Sequence, residues 1–203
     1  MTVARRLSPG LIRAALYVAG LMPASVAFAM GATGRLGADP VNAFLRTLGL
    51  WALRFLILSL CVTPLREIAG INLLRYRRAL GLLAFWYALF HLTAYVGLDQ
   101  GFDFPVLLAD VEKRPFVILG MVAFLVLAGL AATSNRWSIR RLGPRWRALH
   151  RWVYPAACCA AIHFILSFKV LRPETLAYAL AVALLLAWRV LPAGMRRRAA
   201  LSR

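Results

Sequence analysis

The chain has 203 residues, 62% of them hydrophobic, with a mean hydropathy of +0.73 and only seven acidic side chains; a soluble domain of this length has no use for so much apolar surface, so the composition reads as an integral membrane protein. A formal charge of +18 ordinarily points to nucleic acid, but the positive residues gather between the apolar runs, where membrane topology already accounts for them, and no nucleic-acid partner is expected. Three cysteines, all within or at the ends of apolar runs and without a C-x-x-C-H motif, argue against a disulfide framework, a covalent c-type haem, a zinc site or a four-cysteine cluster.

A helix crossing the hydrocarbon layer needs roughly 20 residues at about 1.5 Å each. Six stretches qualify, at 11–30, 44–63, 79–98, 115–133, 149–168 and 175–191. The first follows Arg5 and Arg6 and ends in Ala27-Phe28-Ala29, a pattern shared with cleavable secretory signals; its apolar run is near full membrane length, which favours a retained span. The second is interrupted by Arg54, roughly ten residues inside, where a charge is costly unless paired. The third holds His91. The fourth carries no titratable group, the fifth holds His150 and His163 on either side of Pro155, and the sixth leads into an arginine-rich tail.

The connections alternate in charge. Arg5, Arg6 and Arg13 precede the first span, Arg66, Arg75, Arg77 and Arg78 follow the second, Arg136, Arg140, Arg141, Arg145 and Arg147 follow the fourth, and Arg196, Arg197, Arg198 and Arg203 close the chain. The intervening loops are poor in net positive charge: Arg35 with Asp39, then Asp99, Asp103, Asp110 and Glu112 against Lys113 and Arg114, then Lys169 and Arg172 with Glu174. The positive-inside rule therefore predicts an all-α, polytopic bundle of six transmembrane helices with both ends cytoplasmic. No internal repeat or long loop divides residues 1–203, so a single transmembrane domain is expected, and any catalytic module must reside on another polypeptide.

The three histidines are the candidate site. His91 lies about 18 Å along the third span and His163 about 21 Å along the parallel fifth, so both fall at matched depth in the outer half of the bilayer. A pair of imidazoles facing each other across two helices suits a six-coordinate haem, whose filled axial positions favour electron transfer over oxygen chemistry. His150 lies about 20 Å away along the same span, at the cytoplasmic edge, and cannot serve the same metal. It is a candidate for a second site, for a haem propionate, a flavin phosphate or lipid. Arg54 is a candidate propionate partner near His91, or a side chain snorkelling to the headgroups. A hydrogen-bonded filler role for each histidine is the plain alternative. A small transporter or channel, with His91, His163 and Arg54 as a polar relay, is another. The cytoplasmic arginines meet anionic lipid, and Arg75, Arg77, Arg78, Arg140, Arg141, Arg145 and Arg147 are also placed to hold a flavin phosphate or an acidic donor.

Two blocks carry a resemblance. The runs Val62-Thr-Pro-Leu-Arg66 and Asn72-Leu-Leu-Arg-Tyr-Arg-Arg78, leading into Gly81-Leu-Leu-Ala-Phe-Trp-Tyr-Ala-Leu-Phe-His91, form one; Arg145-Trp-Arg-Ala-Leu-His150-Arg-Trp-Val-Tyr154 with Ala161-Ile-His163-Phe forms the other. Over nearly its whole length the chain resembles the haem-binding membrane subunits of bacterial periplasmic methionine sulfoxide reductase systems, within the ferric-reductase-like transmembrane group that includes NADPH oxidases. The resemblance implies haem b, with FMN also attributed to such subunits, and a multi-pass location in the bacterial inner membrane. It implies a heterodimer with MsrP, a periplasmic molybdopterin enzyme that repairs oxidised methionine. It further implies that electrons come from the quinone pool or from a cytosolic flavin reductase. The chain would then be a non-catalytic electron-transfer subunit, with a direct ferric reductase as the nearer alternative. His91, His150 and His163 carry over as haem-site candidates. In the oxidase relatives the third and fifth spans each supply two histidines for two haems; here Arg77 stands fourteen positions before His91, and the third span offers no inner histidine.

Overall fold

The structure is a computed structural model that describes residues 8–168 and 170–192. Arg5, Arg6, Lys169, Arg196, Arg197, Arg198 and Arg203, on which part of the orientation argument rests, lie outside the described residues. All regular structure among the described residues is helical: α1 Pro9–Ala32, α2 Pro40–Ala69, α3 Leu74–Ala94, α4 Phe104–Lys113, α5 Pro115–Ala132, α6 Arg136–Leu142, α7 Pro144–His150, α8 Val153–Leu166 and α9 Pro173–Val190. A π-helical turn, Tyr95–Asp99, extends α3.

Local chemistry explains the boundaries. Proline opens α1, α2, α5, α7 and α9, where its fixed φ suits the first turn and its missing N–H is not needed. Ser8, Asp39, Asp103 and Asn135 cap their helices by accepting from the backbone N–H of Leu11, Asn42, Val106 and Ser138. Gly70 ends α2 at a φ of 69°, the left-handed stop that glycine tolerates.

Five helical stretches are long and apolar enough to cross a membrane: Gly10–Ala32, Pro40–Ala69, Leu74–Asp99, Pro115–Ala132 and Pro173–Val190. The expected span at 149–168 is built differently. Its helical part, α8, has 14 residues and is about 21 Å long, short of the roughly 30 Å hydrocarbon thickness. Pro155 supplies the reason. It has no N–H to give the Arg151 carbonyl, which instead accepts from Tyr154 at 3.0 Å, and this tightened turn separates α8 from α7.

Helix α2 runs through the centre. Leu48, Leu53, Phe55, Leu56 and Leu60 on it pack against Leu83, Ala84 and Tyr87 of α3, Leu127 of α5, Ala157 and Ala161 of α8 and Val182 of α9. Outward faces remain apolar, with Val18, Phe28, Leu58, Leu125 and Leu184 exposed, as expected of surfaces that meet lipid rather than water. Tyr87 fixes α1 to α3. Its fully buried hydroxyl donates to the Gly20 carbonyl at 2.8 Å and accepts from Ala24 N–H at 3.0 Å, bridging two backbone groups that an uninterrupted helix would pair with each other.

Candidate functional site

Helices α3 and α8 bring two of the three histidines together. The rings of His91 and His163 stand with centroids 6.3 Å apart and planes 79° apart. Each is tethered through Nδ1 to a carbonyl on a third helix: His91 to Leu45 of α2 at 2.9 Å, His163 to Phe116 of α5 at 2.7 Å. A carbonyl can only accept, so both Nδ1 atoms carry the hydrogen and both Nε2 atoms present a lone pair. That is the tautomer of a metal-ready imidazole.

The spacing fits one metal between the rings. An imidazole nitrogen bonds a first-row metal at about 2.0 Å, which puts the centres of two rings on opposite sides of it about 6 Å apart. Among the described residues no group of three or more His, Cys, Asp or Glu side chains is placed to hold a metal ion. Two imidazoles with no further protein ligand therefore suit an iron whose other four ligands come from a porphyrin.

Both rings line a cavity between α2, α3, α5 and α8, with an empty volume of ≈ 1430 Å³ counting its open mouth. Most of its wall is apolar, with Leu53, Leu92, Phe124 and Leu127 among the lining residues, and its polar contributors include Asn42, Arg46, Asp99, Arg114 and Ser167. Arg46 donates from Nε to Asn42 at 2.6 Å and lies over the Phe168 ring at 4.4 Å. Arg114 pairs with Asp110 at 2.9 Å, and the same carboxylate accepts from the Tyr95 hydroxyl at 2.6 Å. An apolar slot with two guanidinium groups in its lining matches a porphyrin with two carboxylate arms.

The other two candidates sit elsewhere. Arg54 donates from Nε to the Tyr178 hydroxyl at 2.7 Å and stacks over Trp51 at 4.8 Å, between α2 and α9, and it is not among the residues that line the cavity. His150 is engaged at both nitrogens, Nδ1 with the Trp146 carbonyl at 3.1 Å and Nε2 with Ser134 Oγ at 3.3 Å, and its ring stacks on Trp146 with centroids 3.8 Å apart. It ties α7 to the end of α5 and does not line the cavity. Arg46 and Arg114 carried no site assignment in the sequence reading, which treated Arg114 as part of a loop. The signal for both was their position at the same end of their spans as His91 and His163.

The ferric reductase like transmembrane component family matches residues 48–172, a stretch that includes all three histidines. Proteins from Brucella ovis, Brucella canis and Brucella melitensis, each called protein-methionine-sulfoxide reductase heme-binding subunit MsrQ, are 55% identical over 183 residues, covering 90% of this chain and 83% of theirs. The chain belongs to the MsrQ family. No solved structure matches it. As an MsrQ family member it is a multi-pass membrane protein, and the family match runs from Leu48 in α2 through α8 to Arg172, taking in most of the residues that line the cavity.

Proposed function

We propose that the chain binds haem b between His91 and His163 and carries electrons across the bacterial inner membrane to the periplasmic molybdopterin reductase MsrP, with the quinone pool or a cytosolic flavin reductase as donor. The observation that carries this reading is the pair of Nδ1-tethered imidazoles 6.3 Å apart, in a chain whose relatives are described as haem-binding subunits. In this reading the chain crosses the membrane six times with both ends cytoplasmic, α7 and α8 together forming the fifth crossing, and residues 1–203 act as one domain.

When bound, haem supplies a one-electron carrier within an otherwise insulating layer. The protein's part is to hold it. His91 and His163 would hold its iron from two sides, which would keep substrate and oxygen off it. The carbonyls of Leu45 and Phe116 fix the two rings and raise their basicity. Arg46 and Arg114 take the propionate role that the sequence suggested for Arg54. The apolar wall keeps water from the iron, and the polar residues of the lining face the periplasmic partner. FMN, implied by resemblance alone, would find its phosphate partners among the arginines of α6 and α7 and of the first turns of α3. In this reading the reduction of methionine sulfoxide takes place on the partner, and this chain supplies the electrons.

Purified protein is expected to be red, with a sharp Soret band and the reduced α and β bands of low-spin haem. His91→Ala and His163→Ala should each abolish that spectrum and reduce quinol-driven transfer to MsrP to background. A colourless, folded wild-type preparation would refute the proposal and favour a transporter.

A further inference from the structure

Each candidate ligand ring is seated in the same way, by a different pair of helices. The carbonyl that receives His91 Nδ1 belongs to Leu45, and four residues further along α2 stands Gly49. A Cβ at Gly49 would lie 3.2 Å from His91 Nδ1 and 3.3 Å from Cε1. The carbonyl that receives His163 Nδ1 belongs to Phe116, and four residues further along α5 stands Gly120, where a Cβ would lie 2.8 Å from His163 Nδ1 and 2.9 Å from Cε1. In a helix the carbonyl of residue i accepts from the N–H of residue i+4, so in both places the glycine's own N–H and the imidazole Nδ1–H converge on one oxygen. Any side chain on the glycine would press on the ring. Among the other helical glycines, a Cβ at Gly20 would meet a Leu83 methyl at 2.6 Å and one at Gly31 a Leu36 methyl at 3.3 Å, the flexible ends of leucine side chains, while at Gly81 it would meet Ser59 Oγ at an ordinary 3.8 Å and at Gly129 nothing within 4 Å.

We infer that Gly49 and Gly120 are a matched pair of positioning residues, which let α2 and α5 approach the two imidazoles closely enough to hold each Nδ1–H on a helical carbonyl and so aim both Nε2 atoms at one iron. The inference rests on the haem reading above. The two seats differ in tolerance. At Gly49 a methyl group requires the ring to give by a few tenths of an ångström, whereas at Gly120 it would enter the ring's contact shell, and that ring is held by its carbonyl tether and has no flexible end to yield.

The test uses the full chain purified with haem, as wild type, Gly49→Ala, Gly120→Ala, Gly81→Ala and Gly129→Ala, comparing haem per protein, spin state and midpoint potential, with gel filtration as the check on folding. Gly120→Ala should retain haem about 10-fold less well, or pass to a mixed-spin spectrum. Gly49→Ala should keep its haem at a raised midpoint, because an imidazole with a weakened Nδ1–H bond is a poorer donor and stabilises the ferric state less. Gly81→Ala and Gly129→Ala should match wild type. Wild-type spectra and potentials in both Gly49→Ala and Gly120→Ala would overturn the inference, as would equal damage from the two control substitutions. If Gly120→Ala does not elute as folded protein, the midpoint of Gly49→Ala decides. A colourless wild type defeats the haem reading and this inference with it, whereas a red wild type with indifferent seat glycines defeats the inference alone.

Discussion

At the scale of single residues, the site separates charges that look alike in the sequence. Arg46 and Arg54 lie on the same helix eight residues apart, yet Arg46 lines the histidine cavity while Arg54 is held by Tyr178 and Trp51. Replacing Arg46 with Leu removes a charged hydrogen-bond donor from a carboxylate site and should weaken haem retention by about tenfold. It should also lower the midpoint, since a lost positive charge favours the ferric form. Arg54→Leu should leave spectrum and midpoint unchanged, and redox titration of both variants decides between them. The histidines were legible because a titratable ring in an apolar run is costly without a partner, and their matched depth followed from the rise of a helix. Their backbone tethers were not legible. Leu45 and Phe116 accept through main-chain oxygens, which any residue type supplies, and a glycine in a membrane helix is too common to mark a seat.

At the scale of helices, the apolar runs predicted the five long helices with small boundary shifts, and the remaining run, 149–168, is divided between α7 and α8. The π-helical turn at Tyr95–Asp99 continues α3 to the end of its expected span, and α2 overruns its expected ends by several residues on each side. Hydropathy has no means of registering a lost hydrogen bond, so the break at Pro155 divided a run that composition alone shows as continuous. The join between α1 and α3 is the element contact most open to measurement. Tyr87→Phe removes the hydroxyl between Gly20 and Ala24 and lets those two backbone groups bond each other, so the cost should be modest, about 1 kcal/mol. Tyr87→Ala should cost about 3–5 kcal/mol, because it also empties a fully buried site packed against Trp51 and Phe55. Thermal unfolding in detergent, followed by the Soret band, would rank the two.

At the scale of the whole molecule, charge and cavity sort to opposite ends of the bundle. Arg75, Arg77 and Arg78 stand in the first turns of α3, and Arg140, Arg141, Arg145 and Arg147 on α6 and α7, whereas His91 and His163 lie in the last turns of α3 and α8. Arg46, Asp99, Arg114 and Phe168, drawn from α2, the extension of α3, the α4–α5 junction and the residues after α8, all line the cavity. If six crossings hold, reporters fused at residue 72 and at residue 143 should both read cytoplasmic, and reporters at 37, 102 and 171 should read periplasmic. A periplasmic reading at 143 with a cytoplasmic reading at 171 would reverse the last part of the topology. By itself the sequence determined the class of molecule, its long apolar helices, the alternation of charge along its connections and the residue type proposed to hold the iron. These follow from the cost of unpaired polar groups in hydrocarbon, which acts on each segment separately. Only the tertiary structure decided which two histidines stand together, which arginines line their cavity, and that α2 and α5 each lend a carbonyl four residues before a glycine. Contacts of that kind join residues far apart in the chain, and neither hydropathy nor spacing along one helix carries information about the helix on the other side.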